Sequence, residues 1–427
     1  MKKILALILA AAMLFSLAAC GGAGDTSDVN EFEEGESAAL LPAPELTKDF
    51  EIKDDFKFGL ICLHDENSTY DNNFLVAAKK VKEILGLTDD QLLIKTNVAE
   101  ANDCYEVAKE LANKGCTMIF ADSFGHESFI AQAAKEFPDV QFGHATGVSS
   151  KYANADLPNM HNAFASIYEG RYLAGIAAGM KLNEMIEEGK FTADEAVIGY
   201  VGAFTYAEVI SGMTSFFLGA RSVCPTATMK VRYTGSWYDQ AKEQEAATAL
   251  IEQDGCVLIS QHADSLGAPT ACELHDIPNV SYNGSAYSAG ENTWLISSAV
   301  NWAPFFLYMA KCVNTGEEMV KDYCGTINTG SVVLSGINQG VVAEGTKEAI
   351  EKAIDEFKAG TLHVFATDTY TVEGKVDEGL ADVDGDYTPE TNVVHDGYFD
   401  ESNADSFRSA PYFDRIIDGV ENKNTMF

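Results

Sequence analysis

The chain reads as an α/β protein, two doubly wound parallel-sheet lobes around a hinge and cleft. From Phe56 onward short apolar runs alternate with longer stretches of helical periodicity, the pattern of parallel βαβ units. A second cycle of the same kind opens at Ala196, without a sequence repeat strong enough to claim duplication. The 427 residues, 46% hydrophobic and 10% aromatic, are enough for two domains with substantial cores.

In chain order, Lys2 and Lys3 precede an apolar run from Ile4 to Ala19. That run is shorter than the roughly 20 residues a bilayer span needs, so residues 1–19 read as a signal peptide. It ends in Leu17, Ala18 and Ala19 directly before Cys20 and two glycines, which resembles a bacterial lipobox. In such signals the cysteine is acylated after cleavage before it, and two or more acyl chains hold a protein at a membrane surface. A secretory signal that happens to contain a cysteine is the alternative. Residues 20–54, rich in Gly, Ala, Asp, Glu, Ser and Pro, read as a flexible tether.

The first cycle runs "FKFGLICL" (56–63), a helix from Asn73 to Leu85, "LLIKTNV", a helix from Cys104 to Lys114, "TMIFAD" (117–122), a helix from Glu127 to Glu136, and "VQFGHAT". A helix with small residues on one face, "YEGRYLAGIAAGMKL" (168–182), leads into the second. There "AVIGYVG" (196–202), "KVRYTG", "CVLISQ" and "NVSYNG" are the strands, separated by helices at Glu208–Ala220, Asp239–Gln253 and near Pro269–Leu274. "TWLISSAVNWAPFFLYMAKCV" (293–313) adds a strand and helix, and "GSVVLSGINQGVV" with "GTKEAIEKAIDEFKAG" another pair. The expected division is therefore 55–167 plus about 293–325 for one lobe and 168–292 plus about 326–367 for the other. An acidic extension over 368–427 is expected to pack on one lobe through "PYFDRIIDGV" (411–420). Within it Asp382, Asp384 and Asp386 resemble a calcium loop, but the glycine sits at the fourth position instead of the sixth, so a solvated acidic loop is the better reading.

The formal charge is −36, or −38 without the two N-terminal lysines, and such a surface repels nucleic acid and anionic headgroups. Apart from Cys20, the eight cysteines form no CxxC and no zinc spacing; buried small hydrophobes are favoured over disulfides. No metal or cofactor is expected.

Ligands of doubly wound sheets sit outside the carboxyl ends of strands. Those ends carry "HDENSTYDNNF" (64–74), "ADSFGHE" (121–127), "GAFTYAE", "TGSWYDQ", "QHADS" and "SYNGSAY". Flat rings beside hydrogen-bonding groups suit a planar heteroaromatic ligand. Tyr70, Phe124, Phe204 and Trp237 are either stacking faces or rings at the edge of the core. Asp71, Asp122 and Asp264 are either ligand contacts or helix caps, and Asn283 either a contact or a turn residue before Gly284. His126 and His262 fit surface or capping roles better than ligand contacts. An extracellular hydrolase would need a metal or acid–base constellation, and HExxH, GxSxG and a carboxylate cluster of that kind are absent from the sequence.

From about Phe56 to Lys358, "IFADSFG", "YEGRYLAGIAAG", "IGYVGAF", "FFLGARSVCP", "GSWYDQAKEQEAATALI" and "QHADS", together with the lipobox, resemble the basic membrane protein family. These are bacterial lipoproteins, the purine-binding substrate-binding proteins of ABC transporters. The resemblance implies a type I periplasmic-binding-protein fold, a monomer anchored outside the cell by Cys20, and a permease as partner. Nucleoside-binding members carry an Asp where this chain has Asn283 and a Lys close to Val300 and Asn301; neither charge is present here. "SQHADS" and "SAVNWAPFF" look more like the branch that binds purine bases such as adenine. That branch has a Trp in the first loop where Ser68 or Thr69 stands here, with Tyr70 as the expected substitute. The implied roles are stacking for Tyr70, Phe124, Phe204 and Trp302, and reading of ring nitrogens by Asp71, Asp122, Asp264 and Asn283, with Ser123 and Trp237 in the same site. A purine nucleoside as ligand, or a sensor for a signalling partner, are the alternatives.

Overall fold

The computed structural model describes residues 36–401 and 407–426. Cys20 and the signal peptide lie outside the described residues.

The first lobe holds β1 (Phe58–Ile61), β2 (Leu92–Lys95), β3 (Met118–Ala121), β4 (Gln141–Ala145) and β5 (Met160–Ala165). They pair in parallel in the order β2-β1-β3-β4-β5, Phe58 standing opposite both Leu92 and Met118. Helices α1 (Thr69–Leu85), α2 (Asn102–Asn113) and α3 (Glu127–Glu136) are the crossovers. α4 (Ile167–Glu187) leads to the second lobe, whose β6 (Val197–Gly202), β7 (Thr228–Tyr233), β8 (Leu258–His262), β9 (Asn279–Tyr282) and β10 (Trp294–Val300) alternate with α5 (Ala207–Val223), α6 (Gln240–Glu252) and α7 (Gly267–His275). Their order, β7-β6-β8-β9-β10, repeats the first. The central strands β1, β3, β6 and β8 are short and buried on both faces, as parallel strands between helices must be.

After β10 the chain returns. α8 (Ala303–Thr315) packs on α1, and β11 (Asp322–Gly325) pairs in parallel with β5. The chain then crosses again to β12 (Val332–Leu334), antiparallel to β10, and α9 (Thr346–Lys358) on α4. The expected crossing at about 293 is thus corrected: β10 completes the second sheet, and the return occurs at Asn301. β10 is buried along its whole length and pairs in parallel with β9, with one register shift between Trp294 and Ser297, so a parallel partner held it in the lobe it followed. The three crossings at Ser166, Asn301 and 326–331 are bonded to one another, through Ser166 N–H to Gly325 O at 2.7 Å and Asn301 N–H to Ser331 O at 2.8 Å.

The glycines of "YEGRYLAGIAAG" and "FFLGAR" have a physical reason. A Cβ on Gly175 would lie 2.1 Å from Phe216 O, and one on Gly219 2.0 Å from Tyr172 O, so α4 and α5 cross in backbone contact. Arg171, fully buried, donates to Ser281 O, Tyr200 Oη, Ser260 Oγ and Gln261 O among the rings of Tyr200, Phe216 and Tyr282.

Both flanking segments depart from expectation. The tether expected over 20–54 is docked from Glu36 onward: Ser37 and Leu40 donate to Ile337 O and Ser335 O on the second lobe, and Lys48 and Lys53 reach Leu85 O and Asn314 Oδ1 on the first. Buried Leu41 and Pro44 against Gly330 supply the apolar contact that composition alone concealed. The extension, with its small hairpins β13 (Leu380–Ala381) with β14 (Thr391–Asn392) and β15 (Val394–His395) with β16 (Tyr398–Phe399), packs on both lobes instead of one. Ser409 N–H bonds Asp322 Oδ2 at 2.8 Å on the first lobe, while Ser211 on α5 donates to Glu401, and β17 (Val420–Asn422) joins the second sheet beside β7. The eight cysteines of the described residues are buried and none is in a disulfide.

Candidate functional site

In a 2-1-3-4-5 sheet the strand order reverses between the first and third strands, where the diverging loops leave a crevice. The two crevices, at β1/β3 and at β6/β8, face each other. Between them lies a narrow cavity, with about 20 Å³ open to the centres of water-sized spheres. The first lobe lines it with Leu63, His64, Tyr70, Asp71, Ser123, Phe124 and Thr146; the second with Glu208, Trp237, His262, Asp264 and Tyr282. The lobes are closed on one another, since Asp264 O accepts from Thr69 N–H at 2.9 Å and Asn73 Nδ2 donates to Asn283 Oδ1 at 3.4 Å. Phe124 also meets Tyr206 across the cleft, with ring centroids 5.4 Å apart.

Six of the ten expected contact residues therefore line the cavity. The other four stand behind the wall. Asp122 Oδ1 accepts from Leu63 N–H at 3.0 Å and its carbonyl from Tyr70 Oη at 2.8 Å, so it holds the first loop in place. Phe204 packs edge-on against Trp237 at 5.0 Å. Asn283, in the left-handed region at φ 65°, is the turn residue its Gly neighbour suggested, and it also donates to Asp264 Oδ1 at 3.3 Å. Trp302 requires a correction: its ring is stacked on Phe74 at 4.3 Å within the first lobe's aromatic core and forms no part of the cavity wall. The residue follows the crossing at Asn301, and the apolar face of α8 draws it inward.

The caps are likewise resolved. Ser68 is the N-cap of α1, accepting from Asp71 N–H, while Asp71 accepts from His64 N–H at 2.7 Å and Ser68 Oγ–H at 2.6 Å. Burial opposes its ionisation, yet these hydrogen bonds hold its carboxyl below the usual range. Burial, then the adjacent Asp71 charge, push Asp122 well above that range. Asp264 is likewise raised, by burial first and then by the carboxylates around it. Among the described residues no lysine or arginine lines the cavity.

His64, Thr146, Glu208, His262 and Tyr282 were not among the expected contacts. His262 is the informative one: buried, 4.3 Å ring to ring from Tyr282, with Glu208 at 3.9 Å, and held neutral by burial, instead of the surface or capping group the sequence suggested. A Cβ on Gly212 would stand 2.5 Å from its ring, so that glycine clears its space. His126 is also buried, bonded through Nε2 to Val98 O. Both nitrogens of His262, Tyr282 Oη and Thr146 Oγ1 are buried polar atoms that find no hydrogen-bond partner among the described residues. Native interiors rarely leave such groups unpaired, and here they converge from both lobes on one cavity.

Residues 88–360 match the family model for the PnrA-like ABC transporter substrate-binding proteins. A purine-binding protein of Brucella abortus is 32% identical over 308 residues, covering 72% of this chain and 79% of that one. A Haloferax volcanii protein named as an ABC transporter glucose-binding protein is 31% identical over 285 residues, 67% of this chain and 68% of that one. Among solved structures, a solute-binding protein from Conexibacter woesei superposes with a TM-score of 0.56 at 20% identity, covering 72% of this chain and 98% of that one. Another from Aeropyrum pernix gives 0.57 at 15%, covering 72% and 87%. At these identities the structural likeness establishes the fold, the two-lobed α/β architecture of periplasmic solute-binding proteins.

Proposed function

Because this chain belongs to the PnrA-like family of ABC transporter substrate-binding proteins, we propose that its cleft captures a purine, a nucleobase such as adenine ahead of a nucleoside, and delivers it to a membrane permease. The observation that carries this reading is the convergence of unpartnered His262, Tyr282 and Thr146 atoms on a small cavity walled by Phe124, Tyr70 and Trp237. Rings of that kind stack on a flat heterocycle, and Asp264 and Glu208 accept hydrogen bonds from its N–H groups. The lack of lining cations argues against nucleotides. With Asn283 in place of a carboxylate and turned toward Asn73 and Asp264, the usual ribose-reading charge is missing, which favours the base.

Closure of the two lobes around the ligand is the functional step, and no covalent chemistry is involved in this reading. Lipidation of Cys20 would keep the loaded protein outside the cell near its permease. The test is calorimetric titration with adenine, guanine, hypoxanthine, adenosine, inosine and glucose. Tight binding of bases with weak nucleosides supports the reading, the reverse order assigns a ribose contact elsewhere, and heat from glucose alone overturns the purine.

A further inference from the structure

The last described residues reach the cleft wall from behind. β17 runs parallel beside β7, with Val420 opposite Met229, and the chain then follows the end of that strand. Lys423 donates its N–H to Val231 O at 2.8 Å. Asn424 makes a reciprocal pair with Tyr233, its Oδ1 accepting from Tyr233 N–H at 2.7 Å and its Nδ2 donating to Tyr233 O at 2.9 Å. Beyond it the Met426 sulfur lies 3.4 Å from where a Cβ on Gly235 would stand, and the Met426 carbonyl accepts from both N–H and Oγ1–H of Thr205, each at 2.8 Å. Thr205 directly follows Phe204, and Gly235 comes two residues before Trp237. One short length of chain thus grips the two loops whose rings meet at 5.0 Å beside the cavity.

We propose that Asn424 and the Met426 carbonyl are positioning groups of the binding site, fixing the Phe204 and Trp237 loops in the register that a flat ligand stacks against. β17 pairs with β7 only as far as Val231, so without them the last residues of β7 would present a free edge with Tyr233 N–H unpaired, and loops leaving a free edge open locally at little cost. The support comes from outside the family match, which ends at residue 360. This proposal rests on reading the cleft as a purine site and adds residues that do not line the cavity.

The chain's own fluorescence separates positioning from mere folding. Of the three tryptophans, Trp294 and Trp302 are buried at 0% and 2% exposure, so changes in emission report chiefly on Trp237. The experiment compares the full chain, Asn424→Ala, a chain ending at Lys423, and Glu421→Ala on the exposed side of β17, each by adenine titration, tryptophan emission and thermal melting. The expected result is a loss of adenine affinity of about tenfold in the shortened chain and about threefold in Asn424→Ala, the scale of one to a few hydrogen bonds. In both, the unliganded emission shifts to the red and acrylamide quenches it more readily, while Glu421→Ala matches the full chain. Unchanged affinity and emission in both variants overturns the proposal. If the shortened chain does not fold, Asn424→Ala decides by the same readouts. If the full chain binds no purine, the ligand reading falls and this one is judged on the unliganded emission and quenching alone.

Discussion

In the proposed reading His262 is a binding residue that works against stability. Its buried imidazole has no hydrogen-bond partner among the described residues, a cost of about 1–3 kcal/mol that a bound ligand would recover. The variant His262→Leu should therefore melt higher than the parent while binding adenine about tenfold more weakly, checked by thermal melting and calorimetry on the same samples. Phe124 is different in kind. It is 39% exposed at the cleft and meets the ring of Tyr206 on the opposite lobe, so Phe124→Ala should leave the melting temperature nearly unchanged and lower affinity by about three- to tenfold.

At the scale of elements, the α4–α5 crossing holds the second lobe's site together. Its backbone contact brings Arg171 under β8 and β9, where it bonds Gln261 O and Ser281 O, the carbonyls next to His262 and Tyr282. Gly219→Ala would place a methyl 2.0 Å from Tyr172 O, and since both groups belong to helix backbones neither yields easily. A destabilisation of about 2–3 kcal/mol is expected, with the adenine affinity of the folded fraction also reduced, measured by urea denaturation and titration. The motif is thus legible in sequence as small residues on one face, but the partner helix is not.

Over the whole molecule, the extension straps the lobes together on one side, and Glu401 is its buried pivot. It accepts from Ser211, Tyr412 N–H and Phe413 N–H, and burial pushes its carboxyl up to about 7 from an ordinary 4.5. A carboxyl raised in the folded state binds more protons there than in the unfolded chain. Its contribution to stability is therefore complete below about pH 4.5 and is lost as pH rises through about 7. Glu401→Gln retains the acceptor for both amides, so its melting temperature should gain on the parent progressively between those limits and stay ahead above them. A constant difference across that range would remove Glu401 from this role.

The sequence by itself determined the alternation of strands and helices, the repeat of the cycle and the strand ends that face a ligand, because each is a local pattern of burial written within a few dozen residues. Tyr70, Asp71, Ser123, Phe124, Trp237 and Asp264 were found at the cavity for that reason. Only the tertiary structure decided that Trp302 turns into the core, that β10 stays in the second sheet, that His262 has its space from Gly212 on another element, and that both flanking segments bind the two lobes. Each depends on which distant surface a residue meets, and chain order carries no record of that until the packing of the two lobes brings the surfaces together.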